Sequence, residues 1–418
     1  MNTASPISFF GPTVPEQRIE SLDILRGFAL FGILWMNMPR GGQGGLVSSV
    51  ANWMCTFLAQ GKFITIFGFL FGTGFALQWI RSAKQGRGIV ALWLRRLLVL
   101  FLIGVCHCVF VWDGDILTDY ALFGAYLLAV HRLPQKAILV LAVVVYATFL
   151  VSDEVAFTRR IARETGAVEA SRIDPARLRE RRKRMLAREA AYYATVSYPQ
   201  LVRDNWDDLR TRFGGRWRIF LPGHVFVLFL LGLWSGRRGI LQDSRSHARF
   251  LRRFVFWGLP AALTLCFGQS LHETLISGGH ISWLGGSALR IGGDIGQRVL
   301  GLTYAAAILL LLQSEQWCPR LTQLKWAGRM ALTNYLMQSV AFNAVAYGYG
   351  LGMYSKITDA IALLYSVVFF VAQVWLSRWW LTRYRFGPVE WLWRSLTYGR
   401  PQPWRASFAD QHGAAMGS

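Results

Sequence analysis

An ionisable side chain inside a long apolar run is costly, by at least about 2.5 kcal/mol at the centre of a bilayer on insertion scales, so each one needs a partner or a task. His107 is such a residue, set in RRLLVLFLIGVCHCVFVWDGDILTDYAL. An imidazole acts as a general base when a carboxylate holds its second nitrogen, and Asp113 and Asp115 follow in the adjoining turn. Lys62, in AQGKFITIFGFLFG, sits too deep in its apolar run for easy snorkelling. It either pairs with Asp113 or Asp115 or meets an anionic substrate group or a developing oxyanion. The cost of scattered charge leads to the expectation that His107, Lys62 and one of the two aspartates converge in one polar cavity in the outer half of the bundle. Cys106 and Cys108 flank the histidine, but alternate residues of a helix point to different faces, so no metal site is expected.

A second set is basic or amide-bearing. Asp23 and Arg26, in SLDILRGFALFG, lie three residues apart on one helix face, which suits an ion pair or an Arg26 that meets a phosphate. Arg81, Arg95 and Arg96 lie in the basic connection that follows, and guanidinium forks suit phosphate oxygens. Asn334 and Gln338, in GRMALTNYLMQSVAFN, share a helix face, as interhelical hydrogen-bonding glue or as the lining of a substrate tunnel. His224, His272 and His280 have no partner legible in sequence. P-loop, H-E-x-x-H, G-x-S-x-G and C-x-x-C patterns are missing, which removes support for nucleotide hydrolysis, zincin and thiol-redox chemistry.

The elements that position these residues are set by composition. Of 418 residues, 53% are hydrophobic and 16% charged, with 18 Trp and 28 Phe, a balance that excludes a soluble enzyme, a disordered chain and a fibrous repeat. The net charge of +22 suits an anionic membrane surface rather than nucleic acid in so apolar a chain. Five scattered cysteines offer no disulfide framework. Apolar stretches predict an all-α polytopic bundle of about ten spans, at 22–38, 54–80, 94–111, 116–130, 136–151, 219–234, 254–271, 298–312, 327–347 and 360–380. Lys and Arg crowd alternate connections, while the other short ones hold only Arg40, Arg290 and Lys356, so both termini are expected inside. The first twenty residues lack an apolar core, so no cleaved signal peptide is expected.

Residues 153–216 break this pattern with dense charge and are expected to form an extramembrane helical insert on the outer side. Leu178, Met185, Leu186 and Ala190 recur there at near-helical spacing, which suits a helix on the bilayer or on the protein. The division is therefore an N-terminal half at 1–152, the insert, a C-terminal half at 217–400 and a flexible tail at 401–418. Gly68-x-x-x-Gly72, Gly232-x-x-x-Gly236 and Gly292-x-x-x-Gly296 predict close helix crossings.

SLDILRGFALFGILWMNM, the GKF segment leading to FGFLFGTG, IGVCHCVFVWDGDILTDYAL, GRMALTNYLMQSV and FGPVEWLWRSLTYG together resemble the YeiB-like family of bacterial inner-membrane proteins, whose C-terminal half is a domain of unknown function. That family resembles, more distantly, the transmembrane acyltransferases, which include heparan-alpha-glucosaminide N-acetyltransferase and envelope O-acyltransferases. The shared element is D-x-x-R-G, here Asp23, Arg26 and Gly27. The N-acetyltransferases carry a histidine in the first outer loop, and the corresponding PRGGQGGLVSSVANW has none, so His107 would substitute.

The resemblance implies transfer of an acyl group from cytoplasmic acyl-CoA, a co-substrate rather than a tightly bound cofactor, to a cell-envelope or small-molecule acceptor at the outer face. In that reading Arg26, Arg81, Arg95 and Arg96 hold the phosphates, and His107, oriented by Asp115 or Asp113, is the base. Lys62 stabilises the oxyanion, and Asn334 and Gln338 contact substrate. Two other classes compete: a transporter using His107, Lys62 and Asp115 as a polar pathway, and a scaffold that docks partners on the insert.

Overall fold

The computed structural model describes residues 19–38, 40, 42, 44–86, 88–165, 175–214, 223–277 and 283–405. Its regular elements are helices: α1 Glu20–Asn37, α2 Leu46–Met54, α3 Lys62–Lys84, α4 Val90–Phe110, α5 Leu117–Val130, α6 Gln135–Thr165, α7 Pro175–Thr195 and α8 Tyr198–Gly214. The second half adds α9 His224–Arg238, α10 Ala248–Ser277, α11 Trp283–Leu311, α12 Cys318–Thr322, α13 Leu324–Arg329, α14 Ala331–Ala346, α15 Asp359–Leu381 and α16 Pro388–Tyr398. Eight of the ten anticipated spans fall along a single helix, residues 219–222 of the sixth lying outside the described residues. The second and the ninth each cross a break, the ninth at Met330 between α13 and α14, and among the described residues six stretches are long and apolar enough to cross a membrane on their own. The large exposed apolar residues cluster on α6 (Val140, Val143, Val144), α10 (Phe256, Trp257) and α15 (Leu364, Val368, Val371, Trp375), which is the surface a lipid-embedded bundle presents. The chain is an all-α membrane protein.

Boundaries moved where polar residues found partners. The eighth span, anticipated at 298–312, starts at Trp283, because the charges that delayed it in sequence are satisfied inside the bundle. Arg298 bonds Asp294 at 2.9 Å, and the Tyr146 hydroxyl donates to the other oxygen of Asp294 at 2.7 Å. The second span, anticipated as continuous over 54–80, is broken. A π-helical turn at Cys55–Ala59 ends at Gly61, whose φ of +77° starts a new helix at Lys62. Lys62 is thus the first residue of α3.

Two reciprocal glycine crossings tie the N-terminal and C-terminal halves into one bundle. A β-carbon on Gly72 would fall on the Phe229 carbonyl, and one on Gly232 would fall on the Phe69 carbonyl, so α3 and α9 meet backbone to backbone. In the same way Gly27 of α1 faces the Leu324 carbonyl, and Gly328 of α13 faces the Asp23 carbonyl. The glycine of D-x-x-R-G is therefore a contact point between the halves.

The insert clamps the bundle end. α6 runs beyond residue 152, and α8 lies along α4, with Leu209 buried against Cys108 and Val109. From α7, Tyr193 stacks on Tyr347 and Tyr354, while Met185 and Leu186 stay exposed; the side chain of Leu178 lies outside the described residues. Part of the segment anticipated as a flexible tail is docked: Trp404 packs against Trp380, Tyr384 and Trp391, and the Gln402 carbonyl accepts from the Trp391 indole at 2.8 Å.

Candidate functional site

α4 carries His107 on its last turn, where carbonyls lack helical partners and must find others. Three successive carbonyls do so through side chains from elsewhere. Val109 accepts from Asn205 at 3.2 Å, Phe110 from the Tyr198 hydroxyl at 3.1 Å, and Val111 from Asn343 at 2.5 Å. Two of these donors belong to α8 and one to α14, so the insert and the C-terminal half together fix the helix end that bears the histidine.

The imidazole Nδ1 lies 2.9 Å from Asp115 Oδ1, and the other carboxylate oxygen accepts from the Thr118 backbone N–H at 2.9 Å. Both side chains are almost fully buried, at 2% and 0% exposure. A carboxylate on Nδ1 fixes the tautomer with its proton there and leaves the Nε2 lone pair available. Nε2 is buried with no partner among the described residues. Across the imidazole lies Tyr335 of α14, its ring centroid 5.3 Å away and its hydroxyl buried, the oxygen accepting from the Ile116 backbone N–H and the O–H proton without an acceptor among the described residues. Arg212 of α8 bonds Asp119 at 3.0 Å and the Asp115 carbonyl at 3.4 Å.

Tyr335 also forms the inner wall of a cavity of about 170 Å³ bounded by α1, α3, α4, α5, α13, α14 and α16. Its deep part is apolar and aromatic, with Phe67, Leu70, Phe71, Leu100, Ile116, Leu117 and Tyr120. Its other end gathers Arg26, Arg96, Arg329 and Arg394. The Arg96 guanidinium stands 4.1 Å from the Trp393 ring centroid and 6.0 Å from that of Trp93, with its Nε unbonded. Trp393 is anchored by its indole N–H on the Arg96 carbonyl at 2.9 Å, and Trp93 by its own on Gly124 at 2.9 Å. Arg26 bonds Asp23 at 3.1 Å.

The cavity's own carboxylate is engaged. Glu390 caps α14, accepting from the Leu332 and Thr333 N–H groups at 2.6 and 3.1 Å and from the Thr333 hydroxyl at 2.5 Å. Burial pushes its carboxyl up, against the downward pull of these bonds. The arrangement is a basic, aromatic-walled cavity that ends beside a buried histidine–carboxylate pair, a shape that suits an anionic head joined to an apolar group.

The residues singled out in sequence separate accordingly. His107 and Asp115 meet, and Arg26 and Arg96 line the cavity. Arg95 is exposed and outside it, because neighbours on a helix point about 100° apart, and Arg81 lies on the last turn of α3 near Tyr398. Lys62 does not join His107: it donates to the Thr56 carbonyl at 3.0 Å, and its electrostatic neighbours are Cys266, Arg298 and Cys55. Asp113 turns instead towards Asp208 and Arg212 of the insert. Asn334 and Gln338 donate across helices, Asn334 to Ser377 at 2.9 Å and Gln338 to Gln373 at 2.8 Å, their amide oxygens stay unpartnered among the described residues, and neither residue lines the cavity. His224 packs edge-on against Phe149. His280 and the side chain of His272 lie outside the described residues. Sequence reasoning missed Arg329, Tyr335, Glu390, Trp393 and Arg394, although all five sit in GRMALTNYLMQSV and FGPVEWLWRSLTYG, the segments that carry the resemblance.

Fold and cavity define a polytopic helical membrane protein with an anion-suited cavity. Residues 235–400 match the family described as "Protein of unknown function (DUF418)". Along nearly its whole length the chain is similar to "Uncharacterized protein YxaH" of Bacillus subtilis (strain 168), with 29% identity over 95% of this chain and 98% of that protein. It is also similar to "Uncharacterized protein YeiB" of Escherichia coli (strain K12), with 27% identity over 91% and 96%. The chain thus carries a DUF418 domain in its C-terminal half and is similar along nearly its whole length to the YeiB-type proteins. No solved structure matches it.

Proposed function

We propose that the protein is an acyltransferase of the bacterial inner membrane that takes its acyl group from acyl-CoA at the cytoplasmic face. The observation that carries this reading is the cavity, with four arginines at one end and Tyr335, packed on His107, at the other. The phosphates of the donor sit among Arg26, Arg96, Arg329 and Arg394, and the thioester reaches inward along the aromatic wall. His107 Nε2 takes the proton of an acceptor hydroxyl or amine while Asp115 steadies the imidazolium that forms. The acceptor atom attacks the thioester carbonyl, the carbon–sulfur bond breaks, and the proton passes from His107 to the departing thiolate. The basic end lies on the Arg-rich side of the bundle, so both termini face the cytoplasm.

One preparation tests site and orientation together. Inverted membrane vesicles supplied with acyl-CoA release free thiol, sealed right-side-out vesicles do not, and His107→Gln abolishes release while the protein stays folded. Equal release by His107→Gln, or release only from right-side-out vesicles, overturns the reading.

A further inference from the structure

A tetrahedral intermediate places a negative charge on the former carbonyl oxygen, and an enzyme of this kind needs a fixed hydrogen-bond donor there. Lys62 was the residue whose type suited that task, but its ammonium is committed to the Thr56 carbonyl. The arginines sit at the opposite end of the cavity from the histidine. At the histidine end, among the described residues, His107 Nε2 and Thr118 Oγ1 are buried without a partner, and the Tyr335 phenol oxygen accepts a backbone hydrogen bond from Ile116 while its own O–H proton has no acceptor. A buried polar group left unpaired calls for an explanation, and a catalytic role is one of them. The imidazole and the Tyr335 ring have centroids 5.3 Å apart, and Tyr335 lines the cavity.

We infer that Tyr335 is a catalytic residue whose phenol O–H donates to the acyl carbonyl oxygen and stabilises the oxyanion, while His107 Nε2 serves as the base. The Tyr335 O–H and His107 Nε2 are complementary: a donor for the oxygen that gains charge and an acceptor for the proton the nucleophile loses. The rest of the site keeps the hydroxyl available. Tyr120, the other phenol of the cavity, is bonded to the Ile64 carbonyl at 3.3 Å, and Glu390 is spent on the start of α14. Neutral Tyr335 does not compete with the arginines for phosphate, so donor binding and acyl activation separate into two ends of one cavity. This assignment rests on the acyl-transfer reading.

The test uses purified full-length protein in neutral detergent with acetyl-CoA, water serving as acceptor, and reads donor affinity and thiol release separately. Tyr335→Phe removes one oxygen and keeps the ring against His107. It binds acetyl-CoA within twofold of wild type and releases thiol about 100-fold more slowly, as loss of one oxyanion donor does. Placing 3-fluorotyrosine at position 335, which restores the O–H, returns release to within a few-fold of wild type. If Tyr335→Phe releases thiol within threefold of wild type, or loses donor affinity in proportion to rate, the assignment is overturned while acyl transfer stands. If wild type neither binds acetyl-CoA nor releases thiol, the acyl-transfer reading fails and this assignment fails with it.

Discussion

Asp113 and Asp115 stand two residues apart in WDGDIL, yet only Asp115 meets His107. The sequence offered both, and the choice is made by the turn, which seats Asp115 at the entry of α5 where it also accepts from the Thr118 N–H. Asp113 is left half-buried, and burial, with the charge of Asp208 adding to it, holds its carboxyl above the ordinary carboxylate range. A group whose folded value is raised favours the fold below its unfolded value, and that contribution is lost as pH climbs through the raised value. At neutral pH the ionised Asp113 is therefore a cost. Asp113→Asn raises the midpoint of a thermal-shift assay at pH 7 by about 2 °C, and the difference closes as pH falls towards 4. A lower midpoint at pH 7 would contradict the placement of Asp113. The pair Arg95–Arg96 carries the same lesson: adjacent arginines look alike in sequence, and helix geometry sends only Arg96 between Trp93 and Trp393.

At the scale of elements, the helices were legible because bilayer thickness dictates their length and apolarity, and the glycine spacings announced where they meet. The break before Lys62 was not legible, since a π-helical turn leaves the apolar run unbroken in composition. The role of the insert was hidden for a different reason. Asn205 and Tyr198 look like ordinary surface residues of a charged segment until they are seen to complete the end of α4. The α3–α9 crossing gives a sharp prediction. Gly232→Ala places a methyl group against the Phe69 carbonyl and costs about 1–3 kcal/mol or more, read as a lower melting midpoint and a loss of monodisperse protein. Gly88→Ser, where a β-carbon meets open space, leaves both unchanged. Equal behaviour of the two variants would sink the close-contact account.

For the whole molecule, membrane class and span order follow from composition, while the cavity does not. It assembles from α1, α3, α4 and α5 of the N-terminal half and α13, α14 and α16 of the C-terminal half. Arg329 and Arg394 therefore reach Arg26 and Arg96 only once the two halves interlock through Gly27 and Gly328. No local pattern announces so distant a meeting, which is why the anticipated phosphate cluster named two arginines that line the cavity and two that do not.

The central claim is that this cavity binds an acyl-CoA through the arginines that line it. Titration of purified wild-type protein in neutral detergent with acyl-CoA tests it directly. The account predicts micromolar or tighter binding, weakened tenfold or more, about 1.4 kcal/mol, by Arg26→Ala or Arg96→Ala. Arg95→Ala stays within twofold, and His107→Ala leaves affinity nearly intact. Absence of binding in a well-folded preparation, or an Arg95→Ala loss equal to that of Arg96→Ala, would contradict it.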